Sequence, residues 1–171
     1  MPIVLPEGLK WGEDKQKILN NLYAKYGRNS SKIKESIGGI IELLKNIAEY
    51  WLIFKKNDDS NSNLSWIVLK RPGTSENYNE NEVNSAVHKL KELYTFFIEK
   101  YGMPVVKGDE TFWYDKSTFL IYTKENLKYT GATIVEYISI KHLSPQVLQE
   151  YKIKFFGVAR PPAGASSEGD F

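Results

Sequence analysis

A chain of 171 residues, 42% hydrophobic and 26% charged, has the length and composition of one globular domain able to bury a core. Its 23 basic and 21 acidic residues leave a formal charge of +2 and are scattered, not blocked, which argues against a polyelectrolyte partner. The absence of cysteine excludes disulfides, thiolate nucleophiles and thiolate metal sites together, and two histidines, His88 and His142, leave little for a nitrogen-ligated zinc, so neither cofactor nor metal is expected.

The opening Met1-Pro2-Ile3-Val4-Leu5-Pro6-Glu7 is too short an apolar stretch for a signal peptide, and no apolar run approaches bilayer length, so a cytoplasmic protein is expected. Without secretion the triplets Asn29-Ser30-Ser31 and Asn63-Leu64-Ser65 have no meaning as glycosylation sites. A first helix is expected at about 13–26, with Ile18, Leu19, Leu22, Tyr23 and Tyr26 on one face. The aromatic and β-branched runs 49–56 and 64–70 read as strands joined by the polar loop 57–63, an antiparallel hairpin. The clearest element is a helix over 79–102: Val83, Ala86, Val87, Leu90, Leu93, Tyr94, Phe97 and Tyr101 follow a 3.6-residue period. Asn79-x-x-Glu82 has capping-box spacing, and Gly102 and Pro104 stop the helix. Strands at 111–115, 118–123 and 133–141 then form a three-stranded meander. Ser144-Pro145 starts a C-terminal helix that Gly157 ends, and residues 159–171 have the small-residue and proline composition of a disordered tail.

Lys25-Tyr26-Gly27 and Lys100-Tyr101-Gly102 are the same tripeptide, each closing an amphipathic helix, which suggests a duplicated unit. Residues 40–48 are contested. Glu42, Lys45, Asn46 and Glu49 fall at helical spacing, whereas a repeated unit requires a strand there, and Gly38-Gly39 make a poor helix start; the strand is favoured. The expected fold is α+β: one domain over 1–158, made of two tandem units at about 8–72 and 79–142, each a helix followed by an antiparallel sheet.

Gly8-Leu9-Lys10-Trp11-Gly12, Tyr50-x-x-x-Phe54, Leu64-x-x-Ile67, Leu90-x-x-Leu93, Tyr101-Gly102-x-Pro104, Trp113, Thr118-x-x-Ile121 and Ile134-x-x-Tyr137 together resemble a pattern in small bacterial proteins of two helix-plus-antiparallel-sheet units. These are similar in architecture to the beta-lactamase-inhibitor protein and the small outer-membrane-assembly lipoproteins. The resemblance covers about 8–142 and implies a non-catalytic module that binds other proteins across its open sheet. The chain departs from that pattern in having neither disulfides nor a lipoprotein signal.

No phosphate loop, nucleophile elbow or H-E-x-x-H motif is present, and no enzymatic activity is expected. Asp58-Asp59 lacks EF-hand spacing, His88 reads as a boundary histidine, and Asp109, Glu110 and Asp115 read as strand-edge carboxylates. Aromatic residues, 13% of the chain, are the feature that leans toward function. Trp66, Trp113, Tyr122 and Tyr137 can share one sheet face opposite the helices, an outward row suited to another protein or a second copy; the alternative is that Leu148, Tyr151 and Phe155 of the last helix cover it. Asp170 and Phe171 could dock into a partner as a terminal peptide. A protein-binding module therefore ranks first. A nucleic-acid-associated protein using Lys55, Lys56, Lys70 and Arg71 near the hairpin ranks second, and a small-ligand binder or unrecognised enzyme third.

Overall fold

The computed structural model describes residues 2–36, 39–45, 48–56 and 62–157, without the side chains of Trp51, Phe54, Lys55, Lys56 and Ser62. Helix α1, Lys15–Tyr26, starts where Asp14 accepts from the free amides of Gln16 and Lys17, and it ends at Gly27. Four strands follow: β1 Ile33–Ser36, β2 Ile40–Leu44, β3 Glu49–Lys56 and β4 Ser62–Lys70. Helix α2, Glu80–Tyr101, carries the full capping box between Asn79 and Glu82. It stops at Gly102, whose φ of 88° and ψ of −167° suit glycine. Four more strands follow, β5 Val105–Lys107, β6 Glu110–Tyr114, β7 Thr118–Thr123 and β8 Thr133–Ser139, and helix α3, Pro145–Phe156, begins at the capping hydroxyl of Ser144.

All eight strands form one antiparallel sheet in the order β1-β2-β3-β4-β8-β7-β6-β5, so each helix is followed by a four-stranded meander and the last strands of the two meanders meet at the centre. The protein is α+β, as the helical and alternating patterns imply. Each unit has one strand more than the sequence suggests. The extra strands, β1 and β5, are the sheet edges and are short; β1 buries only Ile33 and β5 buries nothing fully, so neither carries an alternating apolar signal. Residues 40–44 are strand: Ile41 and Leu43 point into the helix-side core while Ile40 and Glu42 take the other face, and Gly39, with φ of 82°, turns the chain into β2. Asn46 and the hairpin tip at 57–61, including Asp58 and Asp59, lie outside the described residues.

The two faces of the sheet are covered differently. On one, Ile18, Leu19 and Leu22 of α1 and Leu90 and Phe97 of α2 join Ile41, Leu43, Tyr50, Leu52, Ile67, Leu69, Leu120 and Tyr137 in one core. On the other, α3 lays Phe155 against Phe112, Phe119, Ile121 and Ile138, a cluster that reaches across the central seam only as far as Trp66. Over the first unit that second face carries Ile40, Glu42, Glu49 and Ile53, all half-buried. Among the described residues no helix is long and apolar enough to cross a membrane.

Candidate functional site

The aromatic row expected to face outward is divided between the two faces. Trp113 lies opposite Leu120, Leu120 opposite Tyr137, and Tyr122 opposite Val135, so these rings share the helix-side face. Helix α2 covers them. Phe97 meets Trp113 edge-on at 5.5 Å and Tyr137 at 6.5 Å, and Tyr94 packs on Tyr122 at 5.4 Å. Trp113, Tyr122 and Tyr137 retain 4%, 1% and 5% of their exposure, so the expectation of an outward row is corrected: they are core. Trp66 pairs with Ile138, the neighbour of Tyr137, and strand alternation therefore sends it to the opposite face, beside the α3 cluster. Its indole N–H is buried with no hydrogen-bond partner among the described residues.

What the helix-side face does offer is a cleft of about 200 Å³ at the seam between the two units. Its floor is Tyr50 from β3, Leu69 from β4 and Tyr137 from β8, three neighbouring strands of the sheet centre. One wall is α2, through Leu93, Phe97 and Lys100. The other is the N-terminal strap Val4, Leu5 and Pro6. Val4 and Phe96, 55% and 48% exposed, extend the apolar lining out to the mouth.

Tyr50 and Tyr137 are each only 5% exposed, yet neither hydroxyl has a hydrogen-bond partner among the described residues. The other well-buried tyrosines differ: the Tyr78 hydroxyl donates to the Lys45 carbonyl and the Tyr122 hydroxyl to the Leu90 carbonyl. Burial pushes the Tyr137 hydroxyl far up, with Tyr101 and Tyr50 adding to the shift. Burial also raises Tyr50, against the charge of Lys45 and with that of Glu7. Phenols are protonated at neutral pH in any case, so both residues bring a hydroxyl donor to the cleft lining.

The strap is tied at three points. The Ile3 amide donates to Asp115 at 2.8 Å, the Val4 amide donates to the Tyr101 hydroxyl at 3.0 Å, and Glu7 is gripped by Lys25, Lys45 and the Tyr26 hydroxyl. Glu7 is the only described non-glycine residue with positive φ, at 60°, a conformation costing on the order of 1–2 kcal/mol. Burial opposes its charge, but hydrogen bonds and attraction from the two lysines outweigh that and hold its carboxyl below the usual range.

The remaining candidates have structural duties. His88 is exposed on α2 and pairs with Glu92 one turn on. Asp115 accepts from the amides of Ser117 and Thr118 in the β6–β7 turn, and Glu110 pairs with Lys154 of α3. Arg71, one of the basic residues named for the nucleic-acid alternative, is occupied with the carbonyls of Leu127 and Pro72 and the Thr130 hydroxyl. The side chains of Lys55 and Lys56, and Asp170 and Phe171 of the tail, lie outside the described residues. Among those described, no three His, Cys, Asp or Glu side chains are grouped to hold a metal ion.

Sequence reasoning singled out Tyr137 for the wrong face and missed Tyr50, Lys100 and the strap. Tyr50 was within reach of sequence, because it alternates with Leu52 and so must face the same core; the strap was not, since Leu5 between two prolines has no periodicity to read. Compared with protein-family models, curated proteins and solved structures, the chain matches none.

Proposed function

We propose that this protein is a binding module that takes a small amphiphilic molecule into the cleft between its N-terminal strap and α2. The observation that carries the reading is the pair of tyrosines, Tyr50 and Tyr137, at the floor of an apolar cleft, whose hydroxyls have no hydrogen-bond partner among the described residues. A ligand acceptor reaching either hydroxyl would add a hydrogen bond worth about 1 kcal/mol inside the apolar cleft. A cavity of about 150 Å³ accepts benzene, so about 200 Å³ suits a molecule of roughly eight to ten heavy atoms. The test is an amide NMR titration with octan-1-ol. Concentration-dependent shifts are expected to centre on Leu69, Leu93, Phe97 and Tyr137 and to vanish in Leu93→Trp, which fills the cleft from α2. Absence of shifts at millimolar alcohol, or shifts unaffected by that substitution, would refute the reading.

A second reading, protein binding at the part of the other face that α3 leaves open, is favoured by Trp66. Its ring is half-buried at the edge of the α3 cluster, on the face where Ile40 and Ile53 are also half-buried, and a second copy of the chain would cover that apolar strip. Sedimentation checks it: self-association present in the parent chain and lost in Trp66→Ala supports it, and a monomeric parent chain removes it.

A further inference from the structure

Resting on the cleft reading, we infer that the polar end of the ligand is a carboxylate, so that the module selects medium-chain or small aromatic monocarboxylates over neutral molecules of the same shape. Two independent features point there. The first is the polarity of the donors. Tyr50 and Tyr137 line the cleft with phenol hydroxyls that have no hydrogen-bond partner among the described residues, and Lys100 supplies the cation in the lining. No acidic side chain lines the cleft among the described residues, so the polar complement of the site is hydroxyl donors and an ammonium, which matches an anionic acceptor.

The second is the charge around the cleft. Glu7, next to Pro6 in the strap, is matched by two lysines, Lys25 and Lys45, and Lys45 lies 6.0 Å from the Tyr50 ring. Counting Lys100, and Asp115 at the other end of the strap, three cations stand against two carboxylates, and the surplus positive charge favours an anion over a neutral or cationic head. Lys100 is also placed over the Phe96 and Tyr101 rings at 5.4 and 5.5 Å, which holds its ammonium beside the cleft mouth. The apolar body of the ligand lies on Leu69, Leu93 and Phe97.

Octanoate and octan-1-ol, equal in chain length and different in charge, separate this inference from the reading it rests on. Octanoate is expected to bind at least about tenfold more tightly by calorimetric or NMR titration, with the preference reduced to within about twofold in Lys100→Gln. Tyr137→Phe is expected to weaken octanoate severalfold while leaving the melting midpoint of the free protein unchanged or higher, because the lost hydroxyl had no internal partner. A merely structural tyrosine would show the opposite, a lower midpoint. Equal affinity for alcohol and carboxylate would overturn the carboxylate assignment and leave the cleft as a binding site; binding of neither would overturn both. A lowered midpoint in Tyr137→Phe would also overturn the inference, since the hydroxyl would then be satisfied within the fold.

Discussion

Replacing Trp113 by alanine tests whether the aromatic residues after α2 hold the fold together. The ring is 4% exposed, meets Phe97 at 5.5 Å and Tyr94 at 6.2 Å, and its indole N–H donates to the carbonyl of Gly102 at 2.8 Å, tying the exit of α2 to β6. Truncating a buried aromatic to alanine costs about 3–5 kcal/mol, of which the hydrogen bond contributes about 1 because the exposed Gly102 carbonyl can turn to water. For a chain of this length about 4 kcal/mol corresponds to a melting midpoint lowered by roughly 8–16 °C. Trp113→Phe keeps most of the ring and should cost about 1.5–2.5 kcal/mol. Trp66→Phe supplies the contrast. Its N–H makes no bond among the described residues, so the change should stay within about 0.5 kcal/mol of zero. Urea unfolding followed by circular dichroism measures all three. A loss below about 1.5 kcal/mol for Trp113→Ala would refute the core assignment, and a larger loss for Trp66→Phe than for Trp113→Phe would refute the hydrogen-bond reasoning.

Phe155→Ala removes the ring packed at a tilt against Phe112, centroids 3.9 Å apart, and α3 should detach before the rest unfolds: hydrogen exchange is expected to speed up in 145–156 while α1 and α2 keep their protection. Stability should rise as pH falls from neutral toward about 5, because burial raises the carboxyls of Glu136 and Glu49, which are costly to keep charged and take up protons in the folded state first. Below the ordinary glutamate value of 4.5 it should fall again, since the depressed Glu7 carboxyl keeps its stabilising charge only above its own lowered value; Glu7→Gln should abolish the acid limb, seen in midpoints scanned against pH. At the alkaline end Tyr78, Tyr122 and Tyr151 are pushed up to about 12 by burial, so above 10 the unfolded chain ionises while the folded one does not. Each such tyrosine then removes about 1.4 kcal/mol per pH unit, and Tyr122→Phe should flatten the slope of midpoint against pH by one tyrosine's share.

The helices were legible because their signals are local: Asp14, Asn79 and Ser144 cap, and Gly27, Gly102 and Gly157 stop. The long central strands were legible by composition. The edges were not, since β5 is three residues with only Val105 half-buried, and an edge strand is stabilised by its single neighbour and not by its own pattern. Which face a ring takes was also hidden. Trp66 and Tyr137 depend on the register between β4 and β8, strands some seventy residues apart, and a shift of one residue exchanges the faces. Sequence spacing within each strand said that Trp66 could join Tyr137; only the pairing of Trp66 with Ile138 shows that it does not.

The position of the cleft follows from how the two units are joined. The two meanders meet through β4 and β8, and α2 covers that central seam only in part, through Phe97 on Tyr137 and through Leu93 and Lys100 along one wall of the cleft. Something else must cover the rest. Leu5 does so in part, 8% exposed and packed in the same core, and the strap that carries it is held by Asp115, Tyr101 and the lysines around Glu7 rather than by secondary structure. A short strap cannot fill the gap that a third helix would, which is why a cavity remains there with its tyrosine hydroxyls unpaired.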